Sequence, residues 1–589
     1  MKRVIILPLL FLCFCLNAAP IAEQKAREIA TAFFAANATR SSAIALELAW
    51  AGDDANSIST TRTRTTSEDA LIYIYNRTDS DGFVIIAGDD SAPRPILAFS
   101  NKNTFDTQDV ADGARMLLQG WCKQLETTKD SPSPASYSST RAGSGKIVCE
   151  YNTALWGQNT PFNNESPTIS GRKTIAGCVA TALAIIAYHY KWPKSGVGTT
   201  SQYTYSTSHV SEYTVPANQL GRTYQYDKMR NKYKGVSYTT EQGNAVAALM
   251  YDIGTSIGMK FDPEGSSPKF DRVKAMVNHF RYSKYTIYLQ RDWFSDQEWF
   301  AMLKKNLDEV GPLLYHGLKA DNSGGHSFVM EGYTDDGYFK INYGWNGSSN
   351  GFYLLDGLQY EIDHRALLYM SPDKDGTSQY QDILAFRVFT GSSSGIAYKG
   401  VHTNATNYKS GQEFKVYIGI NNIGAVDFSG QLSIAHCDKD GVIKRIVSSK
   451  NITRAVGSTN GYTFLISISP TDIATGDKLM VVYKGAYSSD WQIVTIGPKD
   501  ACKEVLLCAT PEQVAESLKL KYDKTSKQLT FSSENAIQFA ISDSDGSELV
   551  SVEQPSHTDA SISLSSYKQG EYRLSFAGSG EPYLLNVVF

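Results

Sequence analysis

Residues 128–146, TKDSPSPASYSSTRAGSGK, offer a hydrophobic core almost nothing to bury, and that stretch divides the chain before any fold can be drawn. So rich in Ser, Pro and Gly, it reads as an exposed linker open to proteolysis, with a small α+β unit ahead of it. The remainder is too long for one core: a chain of 589 residues, at ~150 residues per domain, implies about four units.

Ahead of the linker, residues 1–19 place Lys2 and Arg3 before an apolar run from Val4 to Leu16, followed by Ala18 and Ala19. This is the layout of a secretory signal peptide, too short for a comfortable membrane span. No later segment reaches ~18 consecutive apolar residues, so no integral membrane segment is expected. Residues 22–37 have helical periodicity, with Ala22, Ala26, Ile29, Ala30 and Phe33 on one face. A Ser/Thr-rich loop (56–66), two strand-like runs (ALIYIYN, 70–76; GFVIIAGDD, 82–90) and a second helix near 116–125 complete an α+β unit over residues 20–127. A compact unit on a nickable tether is the layout of a propeptide; the other reading is a permanent N-terminal domain on a flexible linker.

Beyond the linker the pattern changes twice. Residues 147–377 are mixed α/β. From 378 to 510 the chain alternates, as in EFKVYIGINN with Phe414, Val416, Ile418 and Ile420 on one face, and further strands near Gln431, Tyr462 and Lys478 suggest an Ig-like β-sandwich. Residues 511–589 carry shorter strands, a DSDG turn at 543–546 and a closing GEYRLSF run, a smaller β-module. A net charge of −4 gives no reason to expect nucleic acid as a partner. Of eight cysteines two lie in the signal, and Cys122, Cys149, Cys178, Cys437, Cys502 and Cys508 remain, with no CxxC spacing, so neither a metal nor another cofactor is expected. Cys502 and Cys508 are close enough in sequence to bridge.

Within 147–377 the run IAGCVATALAIIAYHYKWP (175–193) opens a helix at Cys178 and stops at Pro193. A thiol at a helix N-terminus lies at the positive end of the macrodipole, which favours the nucleophilic thiolate. The alternative is a buried structural cysteine among alanines. A working thiolate needs a histidine partner. His189 is eleven residues further along the same helix, roughly 16 Å away at 1.5 Å per residue, too far to bond. His279 falls in an amphipathic stretch, His316 in a strand-like run, and His209 and His364 lack informative neighbours. His326 stands in GGHSFVMEGYTDDGYFKINYGWNG (324–347), where glycines permit close approach and a hairpin returns Asn342 towards it. An amide there could orient the imidazole, and Trp345 could screen that bond from water; singly, the two also fit a turn residue and a core aromatic. Acyl transfer needs oxyanion donors, for which the Cys178 N–H and the Gln158 amide are candidates, with Asn152, Asn159, Asn163 and Asn164 competing.

With these residues in view, the chain resembles the streptopain family of cysteine peptidases, a papain-like group. The resemblance rests on a GFVIIAGDD-type strand, then WGQNTPFN, AGCVATA, GGHSFVMEGY and INYGWNG, in that order. It implies a papain-like α+β catalytic domain with an N-terminal α+β propeptide, followed here by all-β modules. It maps a Cys–His dyad, an orienting Asn, an oxyanion Gln and a shielding Trp onto Cys178, His326, Asn342, Gln158 and Trp345. Gly325, Ser266 and Ser267 correspond to the stretch lining the substrate cleft. Where the family has Trp after the Asn, this chain has Tyr343, and where it has WGG, this chain has Trp345-Asn346-Gly347; both keep bulk or turn capacity. Membership implies a bacterial zymogen, secreted or at the cell surface, that acts on protein or peptide substrates. Its propeptide is an intramolecular inhibitor removed by proteolysis, and a bulky apolar residue is preferred two positions before the cut. The last module is loosely similar to C-terminal secretion modules of exported Bacteroidetes proteins. An acyltransferase using the same residues, or an inactive scaffold that binds surfaces, are the alternative functions.

Overall fold

A computed structural model describes residues 19–37, 44–58, 70–128, 145–269, 271–319, 324–355, 362–392, 394–403, 413–468, 473, 476–507, 518–533, 537–554, 558–576 and 583–587. Nearly all of the signal-like segment, most of the linker (129–144) and Cys508, with its potential bridge to Cys502, lie outside these residues. Two compact units emerge: Met1–Arg281 with Asp296–Pro372, and Tyr282–Ser295 with Asp373–Phe589. The excursion Tyr282–Ser295 clusters with the second unit although it sits inside the stretch expected to be one α/β region.

The first unit is built on an antiparallel sheet. Strands Leu46–Gly52, Ile72–Arg77, Phe83–Ala87 and Ile96–Ser100 run in that order, continued by Gly351–Tyr353, Phe339–Asn342, Gly325–Thr334, Leu313–Lys319 and Ile362–Leu368. Every residue of Phe83–Ala87 and Ile96–Ser100 is buried, as expected of strands covered on both faces. Helix Glu23–Asn37 covers the first of these with Ala26, Ile29, Ala30 and Phe33. Ala22, expected on that face, is exposed ahead of the helix, and Ile21 is buried instead. Helix Asp112–Thr128 packs against Gly325–Thr334, so the segment before the linker reaches the strand that carries His326.

Cross-strand pairs Phe352–Phe99 and Tyr353–Ala98 join the N-terminal strands to those after the linker. Phe99 stacks on Phe352 (centroids 5.2 Å apart) and meets Phe33 at 4.8 Å and Tyr338 at 5.3 Å. Beside this aromatic joint, Lys340 bridges Glu331 (2.9 Å) and Glu150 (3.1 Å), and Lys102 bonds Glu150 at 2.8 Å.

Helix Cys178–Tyr190 is buried along its whole length from Val179 to Tyr188, so it is apolar all round rather than amphipathic. Lys191, in the left-handed region at φ 51°, closes it with its N–H on the Ala187 carbonyl. The helix packs on Gly325–Thr334, Leu313–Lys319 and helix Thr240–Ser256. Its N-terminal residue is thereby fixed beside the central strand.

The second unit is all-β among its described sheets. One sandwich sets Leu384–Phe386, Val401–Thr403, Glu413–Asn422 and Thr459–Ser467 against a sheet centred on Phe428–Cys437 and Lys478–Gly485. Val416, Ile418 and Ile420 are fully buried and Phe414 packs at the margin, the face that alternation indicates. A smaller pair of sheets from 521 to 587 closes over Leu529, Phe531, Phe539, Ile541, Tyr572 and Leu574. No helix among the described residues is long and apolar enough to cross a membrane.

Phe99→Ala removes the ring at the centre of the inter-strand joint. The first urea transition of the full chain should lose about 3–5 kcal/mol; an unchanged midpoint would show that the joint adds nothing to stability.

Candidate active site

Gly177 precedes the helix at φ 92°, a conformation that favours glycine, and a Cβ there would lie 2.9 Å from the Met259 sulfur and 3.0 Å from Ser266 Cβ. Backbone strain and crowding therefore both demand glycine before Cys178. Thr181 Oγ1 donates to the Gly177 carbonyl at 2.9 Å and tightens the first turn.

Cys178 meets His326, the second residue of strand Gly325–Thr334, whose ring is only 5% exposed. Burial alone would push the thiol up. The facing imidazolium, its hydrogen bond to the sulfur, and backbone groups of Ser327 and Val179 outweigh that and hold Cys178 below its ordinary value. Burial likewise pulls His326 down, but the Cys178 charge and hydrogen bond, the Tyr343 carbonyl and the charge of Asp112 raise it above its ordinary value. The opposed shifts both run in the direction that favours a thiolate–imidazolium pair. Nε2 of His326 lies 3.1 Å from the Tyr343 carbonyl, which can only accept, so Nε2 carries a proton and Nδ1 turns to the sulfur.

The orienting partner is thus a backbone carbonyl, and the expected bond from Asn342 is not made. A bulge between Met330 and Gly332 sets the hairpin register so that Asn342 pairs with Val329, three residues beyond His326. Its amide donates to Thr153 Oγ1 (2.9 Å) and the Ala154 carbonyl (3.0 Å), and its oxygen accepts from the Gly344 N–H (3.1 Å). Asn342 anchors the loop that presents Tyr343. The Tyr343 ring is fully buried between Phe328 and Tyr353.

Gln158 is buried, and its carbonyl accepts from the Ala176 N–H at 3.0 Å, two residues before Cys178. The amides of Asn152, Asn163 and Asn164 are engaged by Lys340, the Thr174 carbonyl and Asn244 respectively. Asn159 contributes its carbonyl to the Phe162 N–H. Trp345 is half-buried and its Nε1 donates to Asp109 Oδ1 at 3.0 Å. Ser266 is buried, its hydroxyl spent on the Asp262 N–H and Ile175 carbonyl (both 2.9 Å); Ser267 is exposed in a two-residue strand. Gly325 is exposed at a strand start, where a Cβ would press on the Gly317 carbonyl at 2.9 Å.

The other histidines are occupied elsewhere. His316 bonds Ser327 Oγ (2.8 Å), and burial with the charges of Arg272, Arg365 and His326 pushes it down to about 3, so it stays neutral. His279 donates to the Val197 carbonyl, His364 bonds Tyr315, and His209 lies against Asp262.

The N-terminal unit supplies contacts that composition did not reveal. Gly113 lies directly on the pair: a Cβ there would be 2.6 Å from His326 Cδ2 and 2.7 Å from Tyr343 Cδ1. Asp109 also binds Lys234, Ser348 donates to the Asp109 carbonyl, and the Ala111 N–H reaches Ser349 Oγ at 3.3 Å. A glycine within a helix is a weak sequence signal, and only the opposing ring explains it.

Residues 156–353 match the Peptidase C10 family and residues 18–125 the Spi protease inhibitor family. Streptopain of Streptococcus pyogenes is 30% identical over 310 residues, covering 49% of this chain and 74% of streptopain. The chain belongs to the peptidase C10 family of cysteine peptidases, the streptopain family. Thiol protease/hemagglutinin PrtT of Porphyromonas gingivalis is 33% identical over 373 residues, 60% of this chain, and the chain spans 41% of that protein's length. A solved structure of Prevotella intermedia prointerpain A is 26% identical and covers 51% of this chain and 96% of its own, with a TM-score of 0.44. In this family member the inhibitor-like unit and the peptidase-like region share one sheet, and the former ends on His326.

The paired shifts make a direct prediction. Alkylation of Cys178 by iodoacetamide, followed across pH by peptide mapping, should have its midpoint below the ordinary thiol value of about 8.5. His326→Ala should move that midpoint upward. Equal midpoints in the two proteins would show that His326 does not hold the thiolate.

Proposed function

We propose that this chain is an exported cysteine endopeptidase made as a zymogen, with Cys178 as nucleophile and His326 as its acid–base partner. The observation that carries the reading is geometric: Cys178 opens a helix packed on the strand that carries His326, whose far ring nitrogen is held by the Tyr343 carbonyl. The thiolate attacks the substrate carbonyl carbon, and the oxygen takes the negative charge. The imidazolium Nδ1 proton passes to the leaving amine as the C–N bond breaks, leaving a thioester on Cys178. The neutral imidazole then takes a proton from water, whose oxygen displaces the thiolate and releases the acid.

The Cys178 N–H, at the head of a helix, and the Gln158 side chain are assigned as oxyanion donors. Support for Gln158 is its burial next to the helix entrance, with the side-chain N–H groups of Asn163 and Asn164 engaged elsewhere. Asn342 and Trp345 are positioning residues of the loop that holds His326. Gly325, Ser266 and Ser267 are assigned to the cleft wall, Ser266 by fixing the loop beside Gly177. Substrates are proteins or peptides. Residues 1–19 direct export, 20–127 act as the inhibitory propeptide, and 128–146 hold the maturation cut. The peptidase domain is 147–377, with accessory β-modules at 378–510 and 511–589.

Cys178→Ala should abolish casein hydrolysis and leave the precursor uncut between 128 and 146, read by N-terminal sequencing; unchanged self-processing would refute autolysis. Casein with and without an amine acceptor separates hydrolysis from acyl transfer, and failure of a thiol-directed epoxide to label Cys178 would indicate an inactive scaffold. Gln158→Ala should reduce kcat by ~100-fold or more. A two- or threefold loss would remove Gln158 from the mechanism.

A further inference from the structure

Asp109 is a propeptide carboxylate held by two peptidase-side donors of different chemistry. Oδ1 accepts from the Trp345 indole N–H at 3.0 Å, and Oδ2 pairs with the Lys234 ammonium. The same segment is clamped by Ser348 and Ser349 and, four residues on, reaches His326 at Gly113. The contact falls on Cδ2 of the ring, beside Nε2 and away from the nitrogen that faces Cys178.

That edge identifies which side of a substrate the segment replaces. The imidazolium gives its proton to the leaving amine, so the leaving portion of a bound peptide lies on the histidine side of the sulfur. Residues 109–113 occupy that ground in the precursor. Once the propeptide is removed, the Trp345 N–H and the Lys234 ammonium lose their carboxylate together. Lys234 is already 55% exposed, and the indole cannot serve as an acceptor, so both present only donors and positive charge.

We infer that Trp345 and Lys234 form an acid-recognising subsite on the leaving-group side, selecting substrates with Asp or Glu among the first residues after the scissile bond. Asp109 occupies it in the precursor as an internal stand-in for that side chain. The inference rests on the peptidase reading and adds a specificity to it. An indole N–H and an ammonium converging on one carboxylate make charge-assisted hydrogen bonds to both of its oxygens, whereas a substrate lysine would face a like charge. Because the subsite is open to solvent, the preference should weaken as salt rises.

The test uses the matured enzyme and internally quenched peptides that carry Asp, Asn or Lys at the first, second or third position after the cut. At one of these positions kcat/KM for Asp should exceed that for Lys by about tenfold. Lys234→Glu should invert the ratio and Lys234→Gln should bring it near one. Charge reversal at Lys228, which pairs with Glu241, should leave it unchanged. Cleavage of all peptides with no Asp preference at any position, or a preference that survives Lys234→Glu, would overturn the subsite while leaving the peptidase intact. No cleavage of any peptide, together with failure of an epoxide to label Cys178, would overturn the peptidase reading itself.

Discussion

The meeting of half-buried Cys178 with buried His326 sets what the rest of the fold must hold in place. Desolvation disfavours the charged form of both Cys178 and His326, and their mutual attraction, nearby backbone groups and, for His326, the Asp112 charge reverse the sign. Such a pair tolerates little slack, because attraction at contact distance falls away as the partners separate while desolvation remains. The fold answers with two rigid carriers. One is a helix buried on every side; the other is a strand held by neighbours on both edges. Neither carrier has a soft face along which the pair could drift apart.

The same need explains why the N-terminal unit joins the sheet. The pairing of Phe99 with Phe352 fixes the position of that unit, and from this anchor helix Asp112–Thr128 brings Gly113 onto the His326 ring. Any larger residue at 113 would have to displace either the imidazole or the Tyr343 ring. The inhibitor-like segment thus lies on the His326 ring while the thiol and imidazole keep their opposed shifts. The Asp112 charge, from the inhibitor-like segment, adds to the upward shift of His326.

How much of this was legible depends on the role of each residue. That Cys178 and His326 meet was legible because the roles proposed for them need particular side chains in local contexts that sequence displays, a helix start and a glycine-led strand. The alternation of Val416, Ile418 and Ile420 exposed the sandwich for the same reason, since burial on one face of a strand imposes its period on the chain. Asn342 was misplaced because a bulge at Met330–Gly332 shifts the hairpin by an amount no composition encodes, and because the group that orients His326 is a carbonyl, which every residue has. Gly113, Asp109 and Lys234 escaped notice because their meaning lies in contacts across more than a hundred residues of chain. The assignment of Tyr282–Ser295 to the second unit was hidden likewise.

The surroundings of the pair are held largely by main chain. The Trp156 carbonyl receives the Asn346 N–H at 2.8 Å, the Gln158 carbonyl receives Ala176, and the Tyr343 N–H is taken by Asn350 Oδ1 at 3.0 Å. One short segment, 156–158, therefore ties the loop behind His326 to the approach to Cys178. Backbone bonds of this kind persist through side-chain replacement provided the dihedral angles remain accessible. Asn346 sits at φ 58°, in the left-handed region that Asn adopts more readily than most residues, so it can stand where the family pattern has glycine. Tyr343 can replace Trp because the loop requires its carbonyl at one point and a large ring packed between Phe328 and Tyr353 at another. Framing of this kind ties the shape of the site to the main chain, whereas Trp345 and Lys234 hold Asp109 through their side chains alone.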